Sequence, residues 1–180
     1  MARNSLSSII SHVRLLIGDT AGSPQVWSDD DIQTFLDNHR QDVKYAQLYP
    51  VTDYSTGVAQ YLEWRAGGGW WDDDATLTDA QYQTLTPATK DLQRGVWVFA
   101  THTPDALLSG AAYDVNAAAA DVCDAWIGKI KFAYDFTADG STFHRSQMLD
   151  HLQALAVRLR SSGPNGGVRT AQLVRSDLWR

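Results

Sequence analysis

The chain has 180 residues, a formal net charge of −6 and a single cysteine. That length holds one domain, or one core with an excursion; 44% hydrophobic residues exclude global disorder, and Cys123 alone excludes an internal disulfide or a multi-cysteine metal site. No apolar run approaches the length that spans a bilayer, so a soluble, intracellular protein with no membrane partner is expected.

The N-terminal stretch Met1–Ile17 carries Arg and Ser and no acid before Asp19, the look of an organellar presequence. Leu6, Ile9, Ile10, Val13, Leu16 and Ile17 nevertheless form a helical stripe, and the spacing predicts a structural helix from about Ser5 to Ile17, closed by Gly18-Asp19. Trp27-Ser28-Asp29-Asp30-Asp31-Ile32 predicts the next helix start. Ser28 is the N-cap, Asp31 its capping-box partner, and Trp27 and Ile32 form a hydrophobic staple. Ile32, Phe35, Leu36, His39 and Val43 continue one face to about Gln47. From Tyr49-Pro50 to Pro104 the texture changes to aromatic, β-branched and Thr-rich sequence. Strands are predicted over Val58–Ala66, Tyr82–Leu85 and Gly95–Thr101, with Gly67–Gly69 as a turn and Trp70-Trp71 as the return. Helical periodicity resumes from Ala111 through Val115, Ala119, Val122, Trp126, Ile130 and Tyr134. A last helix, about Phe143–Arg160, is expected to bury Met148, Leu152, Leu155 and Leu159. The short turn Phe136–Gly140 makes these two helices antiparallel neighbours. Ser161–Gly167 then breaks the pattern ahead of a basic arm, Val168–Arg180.

These elements predict a mainly α fold. It is a small helical bundle with antiparallel long helices, a small β-rich excursion over about 50–104 inside a domain of residues 1–164, and an extended basic arm over 165–180. Val115, Val122, Trp126, Ile130, Leu152, Leu155 and Leu159 are the expected helix-packing residues. Charge is uneven: residues 1–144 hold nine basic against nineteen acidic residues, and residues 145–180 hold six against two. A body of that sign repels nucleic acid, whereas the arm can seek an acidic partner surface.

Each chemical constellation has a plainer reading. Asp135-Phe136-Thr137-Ala138-Asp139-Gly140-Ser141 partly matches a calcium loop, but Ser146 stands where a bidentate glutamate is required, so an Asp-Gly turn is expected instead. The triplets Asp29–Asp31 and Asp72–Asp74 read as helix capping and as a turn, because consecutive residues rarely converge on one ion. His12, His39, His102, His144 and His151 are scattered; His144 and His151 lie two turns apart, too far to share a metal. Cys123 beside Val122 reads as a small buried hydrophobe. Nucleophile-elbow, phosphate-loop and dinucleotide motifs are missing, so no catalytic, cofactor or metal residues are expected and the chain is read as a non-enzyme. Tyr54, Tyr61, Trp64, Trp70, Trp71, Tyr82, Trp97 and Phe99 either fill a small sheet core or form a sugar-stacking platform. In the second case Trp64, Trp70 and Trp71 are its surface residues, and a carbohydrate- or host-surface-binding module is the alternative function. In the arm, Arg169, Leu173, Val174, Arg175, Leu178, Trp179 and Arg180 have the composition of interface anchors, set against a solvated tail.

In order and spacing, several segments resemble the head–tail connector (adaptor, or head-completion) proteins of long-tailed bacteriophages. They are Val13–Asp19; Trp27–Ile32 with Phe35-Leu36; Gly110–Ala119; Asp135–Gly140; the Leu152–Arg160 helix; and Arg175-Ser176-Asp177-Leu178. About the first forty and last seventy residues carry the likeness. The long, tryptophan-rich Tyr49–Pro104 stretch departs from it, since many relatives have a shorter link there. The resemblance implies a helical-bundle subunit of a ring, typically twelvefold, that sits beneath the portal protein and extends the DNA channel. It also implies a surface for a stopper or tail-completion protein, DNA that passes without specific binding, and a place in the virion after assembly in the host cytoplasm.

Overall fold

A computed structural model describes residues 2–20, 25–130, 137–138, 141–142 and 145–162. A 3-10 turn, Asn4–Leu6, leads into helix α1, Ser7–Ile17, which turns Ile9, Ile10, Val13 and Ile17 inward. Gly18 ends it at φ 77°, a left-handed conformation that costs glycine little. Helix α2, Asp29–Asn38, starts at the expected cap. Ser28 Oγ accepts from the Asp31 amide, and the Asp31 carboxylate accepts from the Ser28 amide. Trp27 is buried beside this start, edge-on to Phe35 at 5.7 Å and beneath the Lys129 ammonium at 3.5 Å.

The helix predicted to reach Gln47 stops at Asn38, and Arg40–Gln47 is strand β1. The backbone is claimed instead by β8, Leu107–Tyr113, in the register Arg40↔Tyr113 to Gln47↔Leu107 with a bulge between Val43 and Ala46. The helix expected from Ala111 is shortened for the same reason. Ala111–Tyr113 belong to β8, and α3 runs Val115–Ile130, its start capped by Asp114 Oδ1 accepting from the Ala117 amide at 3.0 Å.

Two antiparallel four-stranded sheets lie between α2 and α3. One has the order β1-β8-β4-β5, with β4 at Thr76–Thr78 and β5 at Thr84–Leu85. The other has the order β2-β3-β7-β6, with β2 at Tyr49–Asp53, β3 at Gln60–Arg65, β6 at Thr89–Asp91 and β7 at Val96–Val98. The chain passes between sheets along both edges, from β1 to β2 through buried Leu48 and from β5 to β6 through Thr86–Ala88. Leu48, Trp64, Trp71, Leu77, Trp97, Phe99, Ala106 and Leu108 fill the space between the sheets. Pro50 sits on an edge strand, where its missing N–H is tolerated. The Gly67–Gly69 run is not a hairpin tip: β3 pairs with β2 and β7, and Trp71 bridges to Ala112. Gly69 packs so closely on the 93–94 backbone that a Cβ there would fall 1.9 Å from the Gln93 oxygen.

A second core joins α1, α2, α3 and α4, Arg145–Ser162, to Ala111 and Tyr113 of β8. Asn116 meets Ser162, and Arg160 meets Asp121 and Asp124, so α3 and α4 run antiparallel as expected. Ala118, Ala119 and Ala120 are fully buried and let α1 and α2 approach α3. Backbone pairing joins β9, Thr137–Ala138, to β10, Ser141–Thr142. The fold is therefore mixed α and β, not mainly α. Strand formation extends from Arg40 to Tyr113, wider than the excursion expected over about 50–104, because two flanking segments that read as helix are held by non-local strand pairing.

Candidate functional site

Val115, Val122, Leu152, Leu155 and Leu159 are buried in the helical core, with Trp126 and Ile130 packed half-buried against it. Met148 departs from expectation: it is 43% exposed, while α4 turns Leu152, Leu155, Ala156 and Leu159 inward. At the end of this helix pair, His39 Nε2 lies 2.7 Å from Asp121 Oδ2, and Arg160 pairs with both Asp121 and Asp124. Burial works to raise the Asp121 carboxyl, but hydrogen bonds from His39 and Arg160 outweigh it and hold the group below the usual carboxylate range.

Two buried polar groups escape a reading by sequence. Arg14, on the inner face of α1, donates to Asp19 Oδ2 at 2.9 Å, to the Trp27 carbonyl at 2.9 Å and to Asp29 Oδ1 at 2.6 Å. Asp19 also accepts from the amides of Val26 and Trp27. This network ties the end of α1 to the start of α2; its only sequence signal is a base within an apolar helix stripe. Asp72 is 1% exposed and accepts from the Tyr113 hydroxyl at 3.1 Å, which in turn accepts from Arg3 Nη2. Burial first, and the Asp72 charge second, push the Tyr113 phenol up to about 12.

The aspartate triplets do not converge. Asp29 faces Arg14, Asp31 caps α2, Asp72 faces Tyr113, and Asp73 pairs with Lys90. Among the described residues no group of three or more His, Cys, Asp and Glu side chains could hold a metal ion. His12 stacks on Trp70 at 4.2 Å, and His102 Nδ1 accepts from the Tyr61 amide. Cys123 is buried, and that burial pushes its thiol up to about 11, away from reactivity. The calcium-like spacing over 135–141 and the arm residues Arg169, Leu173, Val174, Arg175, Leu178, Trp179 and Arg180 lie outside the residues whose side chains the structure describes.

The sugar platform does not form as drawn from the sequence. Trp64 and Trp71 are 2% and 6% exposed, and only Trp70 reaches the surface, half-buried under His12. Alternating strand faces turn these rings into the cores, where large apolar area outweighs any surface role. Among the described residues the exposed aromatics are instead Tyr45, Tyr49, Tyr54 and Tyr82. Tyr45 and Tyr82 stack edge-on at 5.0 Å, and both hold left-handed backbones, at φ 52° and 61°.

A concavity of about 550 Å³ opens where the two cores meet. β1 supplies Gln41 and Val43, and Tyr49 follows across the sheet junction. Trp70 and the Gly67–Gly69 backbone form a second wall, and Tyr113 and Asn116 form the third. The lining thus combines the rings of Tyr49, Trp70 and Tyr113 with the amides of Gln41, Gln47 and Asn116 and the Asp114 carboxylate, a mix of apolar faces and a few polar groups that suits a ligand with both. No family model, curated protein or solved structure matches the chain.

Proposed function

We propose that the chain is a structural subunit of a viral head–tail connector ring. It attaches below a portal protein through its arm, repeats around the ring by contacts with copies of itself, and offers its outer face to a stopper or tail-completion protein. The ring stands at the head–tail interface of the virion after assembly in the host cytoplasm, and DNA crosses its channel without specific binding.

The observation that carries this reading is the joint helical core. Of the segments whose order resembles the connector family, Val13–Asp19, Trp27–Ile32 with Phe35-Leu36, Gly110–Ala119 and the Leu152–Arg160 helix all contribute residues to this one core. The atypical middle projects from them as a two-sheet module between α2 and α3. Exposed Tyr49, Val51, Tyr54 and Val58 on and after edge strand β2 provide apolar contact area on that module. The net acidic chain disfavours phosphate binding, which needs positive charge, and so leaves a passing duplex free to slide.

Negative-stain images of the purified chain mixed with its portal should show stacked rings. Deleting residues 165–180 should abolish incorporation into heads with little change in the melting curve of the isolated chain. Normal, DNA-retaining particles from that truncation would refute the reading.

A further inference from the structure

The chain leaves its last described helix at the mouth of the inter-core groove. Asn116, on the groove wall, donates from Nδ2 to the carbonyl of Ser162, the final residue of α4, at 3.4 Å. A Gly- and Pro-rich break then runs through Gly167 and leads into Val168–Arg180, with Leu173, Val174, Leu178 and Trp179 among its arginines. Fully extended, the residues beyond Ser162 reach roughly 60 Å, far more than is needed to double back into a groove beside their origin. Glycine, proline and asparagine are the residues that make such a reversal.

We propose that this groove is the receptor for the chain's own C-terminal arm, docked in cis through Leu178 and Trp179. The fit is chemical as well as geometric. The groove volume, about 550 Å³, accommodates an indole and a leucine side chain together. Tyr49, Trp70 and Tyr113 offer ring faces and edges, and the Gln41 and Asn116 amides offer partners for a peptide backbone. Tryptophan and arginine are the residue types that carry binding energy in such pockets. The body is acidic and the arm basic, so long-range attraction acts in the same direction.

Tethering makes the docking favourable even for a weak contact. A short flexible link holds the arm at an effective concentration of about 1 mM, so an intrinsic Kd of about 0.1 mM leaves it seated roughly nine-tenths of the time. A seat of that strength is easily exchanged. Cis docking goes beyond the connector reading and does not depend on it, because it concerns the isolated chain.

Hydrogen–deuterium exchange on the isolated full-length chain tests it without any portal. Relative to the double variant Leu178→Asp/Trp179→Asp, the unmodified chain should exchange several-fold more slowly over residues 67–71 and 113–116, with β3 and β7 unchanged. A single cooperative thermal melt, lowered by no more than a few degrees, verifies that the fold of the variant persists. Equal exchange in the two proteins overturns the proposal. Protection that disappears on tenfold dilution also overturns it, since that behaviour belongs to the arm of a second copy. In the pair Gln41→Cys/Leu178→Cys, oxidation should give an internally crosslinked monomer that migrates faster on a non-reducing gel. Crosslinked dimers alone, or no crosslink, count against cis docking.

Discussion

Arg14 illustrates how one residue can be structural while looking functional. It is a cation with 9% side-chain exposure, and its two carboxylate partners differ sharply: Asp19 is 2% exposed and Asp29 62%. The exposed leg is worth little, whereas removing the cation leaves the buried Asp19 charge held by the Val26 and Trp27 amides alone, at a cost of about 3 kcal/mol. Arg14→Leu should therefore lower stability by about that amount in a urea titration, and Asp19→Leu in the same chain should restore only part of it, because the Val26 and Trp27 amides then lose their acceptor. A single variant as stable as the wild type would remove the network from the fold's supports. Tyr113 is the second case. Its phenol is raised from 10.0 to about 12, so it contributes stability that is fully present below pH 10 and is lost as pH rises toward 12. Phenolate absorbance should show one tyrosine ionising near pH 12. Asp72→Asn should bring it only part of the way back to 10, because burial is the larger cause and the Asp72 charge the smaller.

Among the elements, α2 and α3–α4 show where local chemistry suffices and where it does not. The capping box at Ser28 and Asp31 was legible because both partners lie within one turn, and the bonds that define it need nothing from the rest of the chain. The far end of α2 was not legible: Val43 continued an apolar spacing, but β8 competes for the same backbone from some seventy residues away in sequence. The α3–α4 junction carries a pH prediction. Asp121 is held below its ordinary value of 3.8, so its contribution is present above pH 3.8 and is lost as pH falls through the lower folded value. Asp121→Asn should consequently reduce stability at pH 7 and converge with the wild type in strong acid. Parallel acid-denaturation curves for the two proteins would show that the ion cluster does not stabilise the helix pair.

The whole molecule turns on β8, which serves both cores. Leu108 lies between the sheets, while Ala111 and Tyr113, on the opposite face, join the helices. Strand alternation makes this sharing possible, since successive side chains leave the sheet on opposite sides. Truncating the shared strand should therefore unsettle both cores together. Leu108→Ala should cost about 2–5 kcal/mol, and the near-ultraviolet signal of the tryptophans and the far-ultraviolet helix signal should melt in one coincident transition. Separate transitions would mean that the two cores fold independently. From the sequence alone came the charge asymmetry, the helix starts at Ser7 and Asp29 within a residue or two, and the inward stripe of α3 and α4. All of these depend on side chains within a few turns of one another. The tertiary structure alone decided that Arg40–Gln47 and Ala111–Tyr113 are strands, that Trp64 and Trp71 are buried, and that Arg14 and Asp72 find partners inside. Those outcomes depend on contacts between residues far apart in the chain, whose gain in buried area and backbone hydrogen bonds exceeds any local preference.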